Sequence, residues 1–339
     1  MHTLVLTLAL WAQDSTLIRS VTAFVDKQAQ AGAFSGVVLI ARDGEPLLEL
    51  ARGQADAERK RPIRTGTRFN LASGDKVFTK IAIAQLVDAG RLSLTDTVGK
   101  FLPDYPNATI RNKATINHLL RHQSGLGSYW NEAFRSRRTR LEALADVVPL
   151  FVNDALAFEP GARMGYSNAG YILLGRIIEV VNGESYYDYV RKNIFEPAGM
   201  QTTQYLTIDQ WPADKAVGYT MEDSLGAAPR PSGPRAVNSW SLAKRGSSAG
   251  GGYSNVHDIL RLDNALRSGK IAGAATAGRT FMTGPGGRQL LANGGGAGAN
   301  FEFSRIGRYT VIILSNYDPP AATDVLRFIT GHLANESTD

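Results

Sequence analysis

A chain of 339 residues, 43% hydrophobic and 20% charged, is long enough for a large buried core, and its evenly spread apolar residues exclude general disorder. It has no cysteine, so disulfides, thiolate metal sites and cysteine nucleophiles are excluded together. The net charge of +6 comes partly from Arg59-Lys60-Arg61 with Arg64, and from Arg135, Arg137, Arg138 and Arg140; without interleaved aromatics or a binding module these read as solvated faces, and no nucleic-acid partner is expected. An anionic substrate or an anionic surface stays open.

In chain order, Leu4 to Ala12 is an apolar run like the core of a secretory signal. It is too short to span a bilayer and lacks a preceding Lys or Arg; an exported protein (periplasmic or secreted) is the expectation, with the first turns of a helix in a cytoplasmic protein as the alternative. Leu17, Val21, Phe24 and Val25 have helical spacing over residues 16–31. Two apolar runs, 36–41 and 46–50, flank Arg42-Asp43-Gly44-Glu45 and predict a β-hairpin. A helix is predicted from near Ser73, carrying Val77, Ile81, Ala84 and Val87 toward Gly90. Residues 76–236 read as mainly helical, with clear periodicity over 115–122, 141–153, 169–182 and 186–195. Beyond Gly250 come a helix over 256–268, strands over 299–304 and 309–315, and a closing helix over 322–334. No integral membrane segment, internal repeat or flexible linker is expected.

This order predicts an α+β fold: an antiparallel sheet built from both chain ends, flanked by terminal helices, with an all-helical lobe inserted. The expected division is a signal-like segment 1–13 followed by one catalytic domain, 14–339. Its α/β lobe comprises about 14–75 and 237–339, and its helical lobe about 76–236.

Three short elements carry chemistry. Ser73-Gly74-Asp75-Lys76 is an S-x-x-K at a helix start. A serine hydroxyl needs a neighbouring base, and one helical turn puts Lys76 on the face of Ser73. There the Ser73 N–H is unused by the helix and can donate to a developing oxyanion. The same spacing also suits a serine that merely caps a helix. Tyr166-Ser167-Asn168 precedes an apolar helix; a phenol near an ammonium is expected to have its pKa lowered toward use as a base. A tyrosine packed at a junction, with Asn168 as an N-cap, fits equally. Asn293-Gly294-Gly295-Gly296-Ala297-Gly298 allows a substrate to lie against backbone, or is a simple turn or loop. A phosphate loop is not supported, since no Walker sequence or strand–GxGxxG–helix context exists.

Together the three elements resemble the serine β-lactamase and penicillin-binding-protein superfamily, whose signature includes S-x-x-K, and within it the class C branch with its Y-x-N element. That branch includes DD-peptidases, D-stereospecific aminopeptidases and family VIII carboxylesterases. Residues 114–126, ending His118-Leu119-Leu120-Arg121-His122-Gln123-Ser124-Gly125-Leu126, are similar to a characteristic stretch of this family, as are 165–175 and 194–200. The resemblance covers about residues 15–335. It implies that Ser73 is acylated, that Lys76 and Tyr166 handle its proton, and that Tyr166 then assists water. It also implies that Asn168 positions Lys76 and the substrate carbonyl, with Asn293, Gly295 and Gly296 binding substrate. The N–H groups of Ser73 and Gly296 would form the oxyanion hole. No cofactor or metal is implied, and the partner is a small ester, amide or β-lactam-like molecule.

One departure bears on specificity. Relatives usually carry Lys-Thr-Gly or His-x-Gly where this chain has Asn293-Gly294-Gly295, and the run is one residue shorter than the common HGGGAPG form. Neutral Asn293 cannot hold a substrate carboxylate as Lys does. The expectation is therefore carboxylesterase-like activity, with weaker β-lactamase, D-aminopeptidase or DD-peptidase-like activity. The alternative is a penicillin-binding-protein-like ligand binder without turnover. Two other patterns compete. Gly246-Ser247-Ser248-Ala249-Gly250 fits the G-x-S-x-G elbow, with Asp318 or Asp324 and then His332 downstream, but glycines follow where a helix is needed. His118 and His122 have i,i+4 metal spacing without the Glu of H-E-x-x-H, so packing or local hydrogen bonding is expected. Tyr129, Trp130 and Trp240 are candidates for an apolar pocket wall.

Overall fold

The hairpin forms where the apolar alternation and the Asp43-Gly44 turn require it: β1 (Gly36–Arg42) and β2 (Glu45–Arg52) pair antiparallel with Arg42 opposite Glu45. In the computed structural model, which describes residues 2–222, 233–272, 282–283 and 288–335, four more strands come from the C-terminal third. They are β3 (Met282–Thr283), β4 (Gln289–Gly296), β5 (Ala299–Ile306) and β6 (Tyr309–Ser315). The sheet order is β2-β1-β6-β5-β4-β3, and every neighbouring pair is antiparallel. Strands from both ends of the chain thus lie side by side, as expected.

Both faces of this sheet are covered, and strand alternation sorts the side chains between two cores. Val38, Ile40, Val311 and Ile313 meet the terminal helices; Val37, Leu39, Ile312 and Leu314 face the helical part. On the first face lie α1 (His2–Gln30) and a closing helix, Ala321–Asn335. Leu17, Val21 and Val25 are fully buried there, and Phe24 stacks on Phe328 with ring centroids 4.1 Å apart. Removing each such aliphatic side chain from water contributes about 1.5–3 kcal/mol. Helix α1 runs without a break through the signal-like residues, whose side chains lie outside those described. No described helix is long and apolar enough to cross a membrane.

On the second face, α2 (Lys76–Asp88) is buried along Val77, Phe78, Ile81, Ala82, Ile83 and Leu86. It crosses α3 (Asn168–Asn182), which Ser167 caps by accepting the Gly170 N–H at 2.9 Å. The helical character expected over 76–236 ends near Gly199. From 201 to 222 the described chain is turns, one 3-10 segment (Ile208–Gln210) and a two-residue strand, Tyr219–Thr220. Its threonines and Pro212 favour turns over helix. The helix expected over 141–153 is split into Leu144–Val147 and a 3-10 turn, Val148–Leu150, because Pro149 has no N–H for a continuing helix. Two helices, α4 (Val256–Arg267) and the closing helix α5 (Ala321–Asn335), complete the C-terminal part.

Candidate active site

Ser73 sits in a short 3-10 turn, Ala72–Asp75, that leads into α2, so Lys76 rather than Ser73 opens the α-helix. The turn is wedged between β4, β5 and the loop after Gly246. Gly74 lies on Phe301, where a Cβ would come within 2.1 Å of the ring. Gly294 on β4 lies on the turn itself, and a Cβ there would be 2.3 Å from the Leu71 carbonyl oxygen and 2.9 Å from the Ser73 nitrogen. Only glycine permits that approach. From the other side, Gly251 N–H donates to the Ala72 carbonyl at 3.2 Å, and Leu71 N–H to the Gly252 carbonyl at 2.9 Å. The Gly252 N–H closes the clamp on the Asp75 carboxyl. Ala72, just before the nucleophile candidate, is held at a φ of 47°, a left-handed value that costs an L-residue energy.

The residues expected to act together meet here. The Tyr166 hydroxyl donates to Ser73 Oγ at 2.7 Å. Lys76 Nζ donates to Asn168 Oδ1 at 2.9 Å and to the Ala249 carbonyl at 2.5 Å, and lies 5.1 Å from the Tyr166 ring centroid. Its hydrogen bonds thus go to these two acceptors rather than to Ser73 Oγ. Because Ser167 caps α3, Asn168 is free of capping and points to the amine, its Nδ2 donating to Ser128 Oγ at 3.3 Å.

Burial lowers the Lys76 pKa to about 7; Asp75 opposes this and Lys80 adds to it. Burial likewise raises Asp75. Tyr166 is raised, chiefly by desolvation, with the Ser73 contact opposing it. The expected lowering of the phenol by an ammonium is therefore corrected: burying the phenol itself disfavours its charged form more than the Ser73 contact favours it. His122, lowered to about 4 by burial and by Lys76 and Lys80, is a neutral ring at 4.6 Å from that of Tyr166. Its Nδ1 accepts the Ser167 N–H at 3.1 Å, and His118 Nδ1 accepts the Thr115 N–H. Both do local bonding, and no metal-holding cluster of side chains occurs among the described residues.

With this geometry in place, comparison with known proteins decides the family. The profile described as Beta-lactamase matches residues 19–336. The chain belongs to the beta-lactamase family. Penicillin-binding protein 4* of Bacillus subtilis (strain 168) is 40% identical over 174 residues, which is 50% of this chain and 38% of that protein. The chain thus spans well under two thirds of that relative's length. A penicillin binding protein from Bacillus halodurans superposes with a TM-score of 0.78 at 29% identity, covering 91% of this chain and 98% of that one. The D-amino acid amidase of Ochrobactrum anthropi SV3 shares the fold, with a TM-score of 0.77 at 22% identity over 96% of this chain and all of the other.

In this family member a groove of about 760 Å³ runs past Ser73 and is lined by Tyr166, Asn168, Asn293, Gly295 and Gly296. The glycine run is not a loop before a strand: it forms the end of β4, with Gly296 opposite Ala299. Gly295 lines the groove through its backbone, since a side chain there would meet Pro319 at 2.5 Å. Nothing lies within 4 Å of where a Gly296 side chain would begin. Tyr129, Trp130 and Trp240 all line the groove; Tyr129 is nearly buried, within 3.3 Å of Ser247 Oγ, and Trp130 is half exposed.

The elbow reading of Gly246 to Gly250 fails. Ser248 is fully buried, its Oγ donates to the Tyr171 carbonyl at 2.8 Å, and a strand, Tyr253–Ser254, follows instead of a helix. That segment acts through its backbone, as the clamp described above. Reading side chains alone missed Ala249, whose contribution is a carbonyl, and the Gly252 contact of Asp75. The surplus of small residues in Gly246-Ser247-Ser248-Ala249-Gly250-Gly251-Gly252 was the available signal.

Proposed function

We propose that this chain is a serine acyl hydrolase working through a covalent acyl-enzyme on Ser73, with small carboxylic esters as its best substrates. Ser73 Oγ attacks the carbonyl carbon and the C=O π pair moves onto oxygen. The serine proton passes to the Lys76–Tyr166 pair, in which the lowered Lys76 amine is the base. The N–H groups of Ser73 and Gly296 receive the oxyanion, each such donor contributing about 3 kcal/mol to transition-state stabilisation. The tetrahedral species expels the leaving oxygen with its electron pair, and Tyr166 supplies the proton that Lys76 restores. Water then adds to the acyl carbon, gives its proton to the same pair, and Ser73 departs reprotonated. Asn168 holds the amine in register throughout.

The observation that carries this reading is the Tyr166 hydroxyl at 2.7 Å from Ser73 Oγ, beside a Lys76 amine that two acceptors hold in place and that burial leaves partly neutral at pH 7. Esters rank above amides and β-lactams because Asn293 offers no charge to a carboxylate beside the scissile bond, and because an ester needs less help in expelling its leaving group. Hydrolysis of p-nitrophenyl butyrate is the test. Ser73→Ala is expected to lose roughly 10³-fold or more in kcat, with fluorophosphonate labelling lost in parallel. Turnover that survives the substitution would remove Ser73 from the mechanism.

A second reading rests on Asn293 and on the relative named as a penicillin-binding protein: slow acylation without useful turnover. Labelling of Ser73 by a fluorescent penicillin or a fluorophosphonate, with no ester hydrolysis, would favour that binder.

A further inference from the structure

The arginine-rich run at 135–140 takes no part in the chemistry at Ser73, yet Arg135 and Arg138 line the same groove. The groove-lining cations are not equivalent. Arg135 is paired with Glu132 at 3.0 Å and Lys244 with Glu142 at 3.1 Å. Arg245 donates to the Tyr205 carbonyl at 2.6 Å and lies 3.6 Å from the Tyr187 ring centroid. Arg138 has no carboxylate partner among the described residues. Its Nη1 donates to the Arg135 carbonyl at 3.0 Å, and its Nε is buried with no hydrogen-bond partner. The residue is not a loose surface chain, because its own carbonyl accepts the Lys244 N–H at 2.8 Å and so ties the two walls together. Trp130 and Phe134 line the same stretch of groove, their rings 4.8 Å apart, and apolar walls strengthen any charge pairing made there.

We propose that Arg138 is a subsite for a carboxylate carried by the substrate, so that the preferred esters or amides bear an anionic group set apart from the scissile carbonyl. The inference rests on the acyl-transfer reading of Ser73 and adds the substrate class. A guanidinium presents a planar fork that fits a carboxylate with two parallel bonds, and this one lines a ligand-sized groove with no carboxylate partner among the described residues. The neutral Asn293 beside the glycine strand offers no charge of its own, which leaves a carboxylate to the Arg138 wall.

The test compares matched ester pairs on the whole protein: the mono-p-nitrophenyl esters of succinate, glutarate and adipate against p-nitrophenyl butyrate, valerate and hexanoate. For at least one pair the anionic ester is expected to have a kcat/KM roughly tenfold to a hundredfold higher, through KM, and to lose that advantage as salt is raised. In Arg138→Gln the ratio falls to near one, and Arg138→Lys restores part of it. Arg137→Gln, the same charge change on an exposed residue outside the groove, keeps the ratio and so separates a local site from general attraction. Wild-type ratios at or below one in all three pairs, or a ratio that survives Arg138→Gln, would overturn the subsite while leaving the hydrolase reading standing. No hydrolysis of any ester, with no fluorophosphonate label on Ser73, would overturn both.

Discussion

Lys76 is shielded from water and held by two acceptors, and this burial brings its amine to about 7. A base works only after losing its proton, so kcat/KM for a p-nitrophenyl ester is expected to rise with pH through an apparent pKa near 7. His122 adds no step there, because its ring is already neutral well below that range. The charge of Asp75 holds the Lys76 pKa up, so Asp75→Asn, which can still accept the Gly252 N–H, is expected to move this limb to lower pH. A limb that stays in place in the variant would separate Asp75 from the titration. At Gly294 the issue is space. Gly294→Ala puts a methyl group against the Leu71 carbonyl and the Ser73 nitrogen, and a displacement of about 1 Å in a catalytic group can cost 10²-fold in rate. Gly296→Ala has open space around it and is expected to leave the melting temperature unchanged, whereas Gly294→Ala lowers it by several degrees.

Among elements, the start of α3 joins stability to the site. Ser167 accepts the Gly170 N–H and donates to the Gly127 carbonyl, and the next residue is Asn168, which grips Lys76. Ser167→Ala is expected to cost about 1 kcal/mol in chemical denaturation and to reduce kcat more than it raises KM, with Ser167→Thr recovering much of both. The boundary of α2 follows a similar logic. Its first turn is preceded by the 3-10 segment Ala72–Asp75, and the two residues between Ser73 and Lys76 are spent on packing: Gly74 on Phe301, Asp75 on Gly252. The S-x-x-K spacing is therefore filled by residues that fix the turn from both sides.

For the whole molecule, the sheet separates a stabilising layer from a working one. Leu17 is buried between the sheet and the terminal helices, and Phe301 on the opposite face, under Gly74. Both truncations are expected to cost about 2–5 kcal/mol in denaturant melts. Leu17→Ala is expected to keep kcat/KM per folded molecule, and Phe301→Ala to lose at least tenfold, because only the second removes support from the Ser73 turn. Equal activity losses in the two variants would mean that the two faces are not separable in this way.

Much of this was legible in the residues. The hairpin follows from alternation around Asp43-Gly44, the buried face of α1 from the spacing of Leu17, Val21 and Val25, and the meeting of Ser73, Lys76, Tyr166 and Asn168 from motif spacing and family resemblance. These are local periodicities, or patterns carried by side-chain identity. What required the tertiary structure depends on burial and on backbone atoms. Whether the Tyr166 phenol goes up or down depends on how much water reaches the phenol itself. The segment around Ser248, which reads as a nucleophile elbow, serves as a backbone clamp because its hydroxyl is sealed inside and its amides and carbonyls face the 71–76 turn. Arg138 is indistinguishable in sequence from its three neighbouring arginines. Only the folded chain puts it on the wall of the groove with no carboxylate partner among the described residues, because charge pairing is a property of distance in space rather than along the chain.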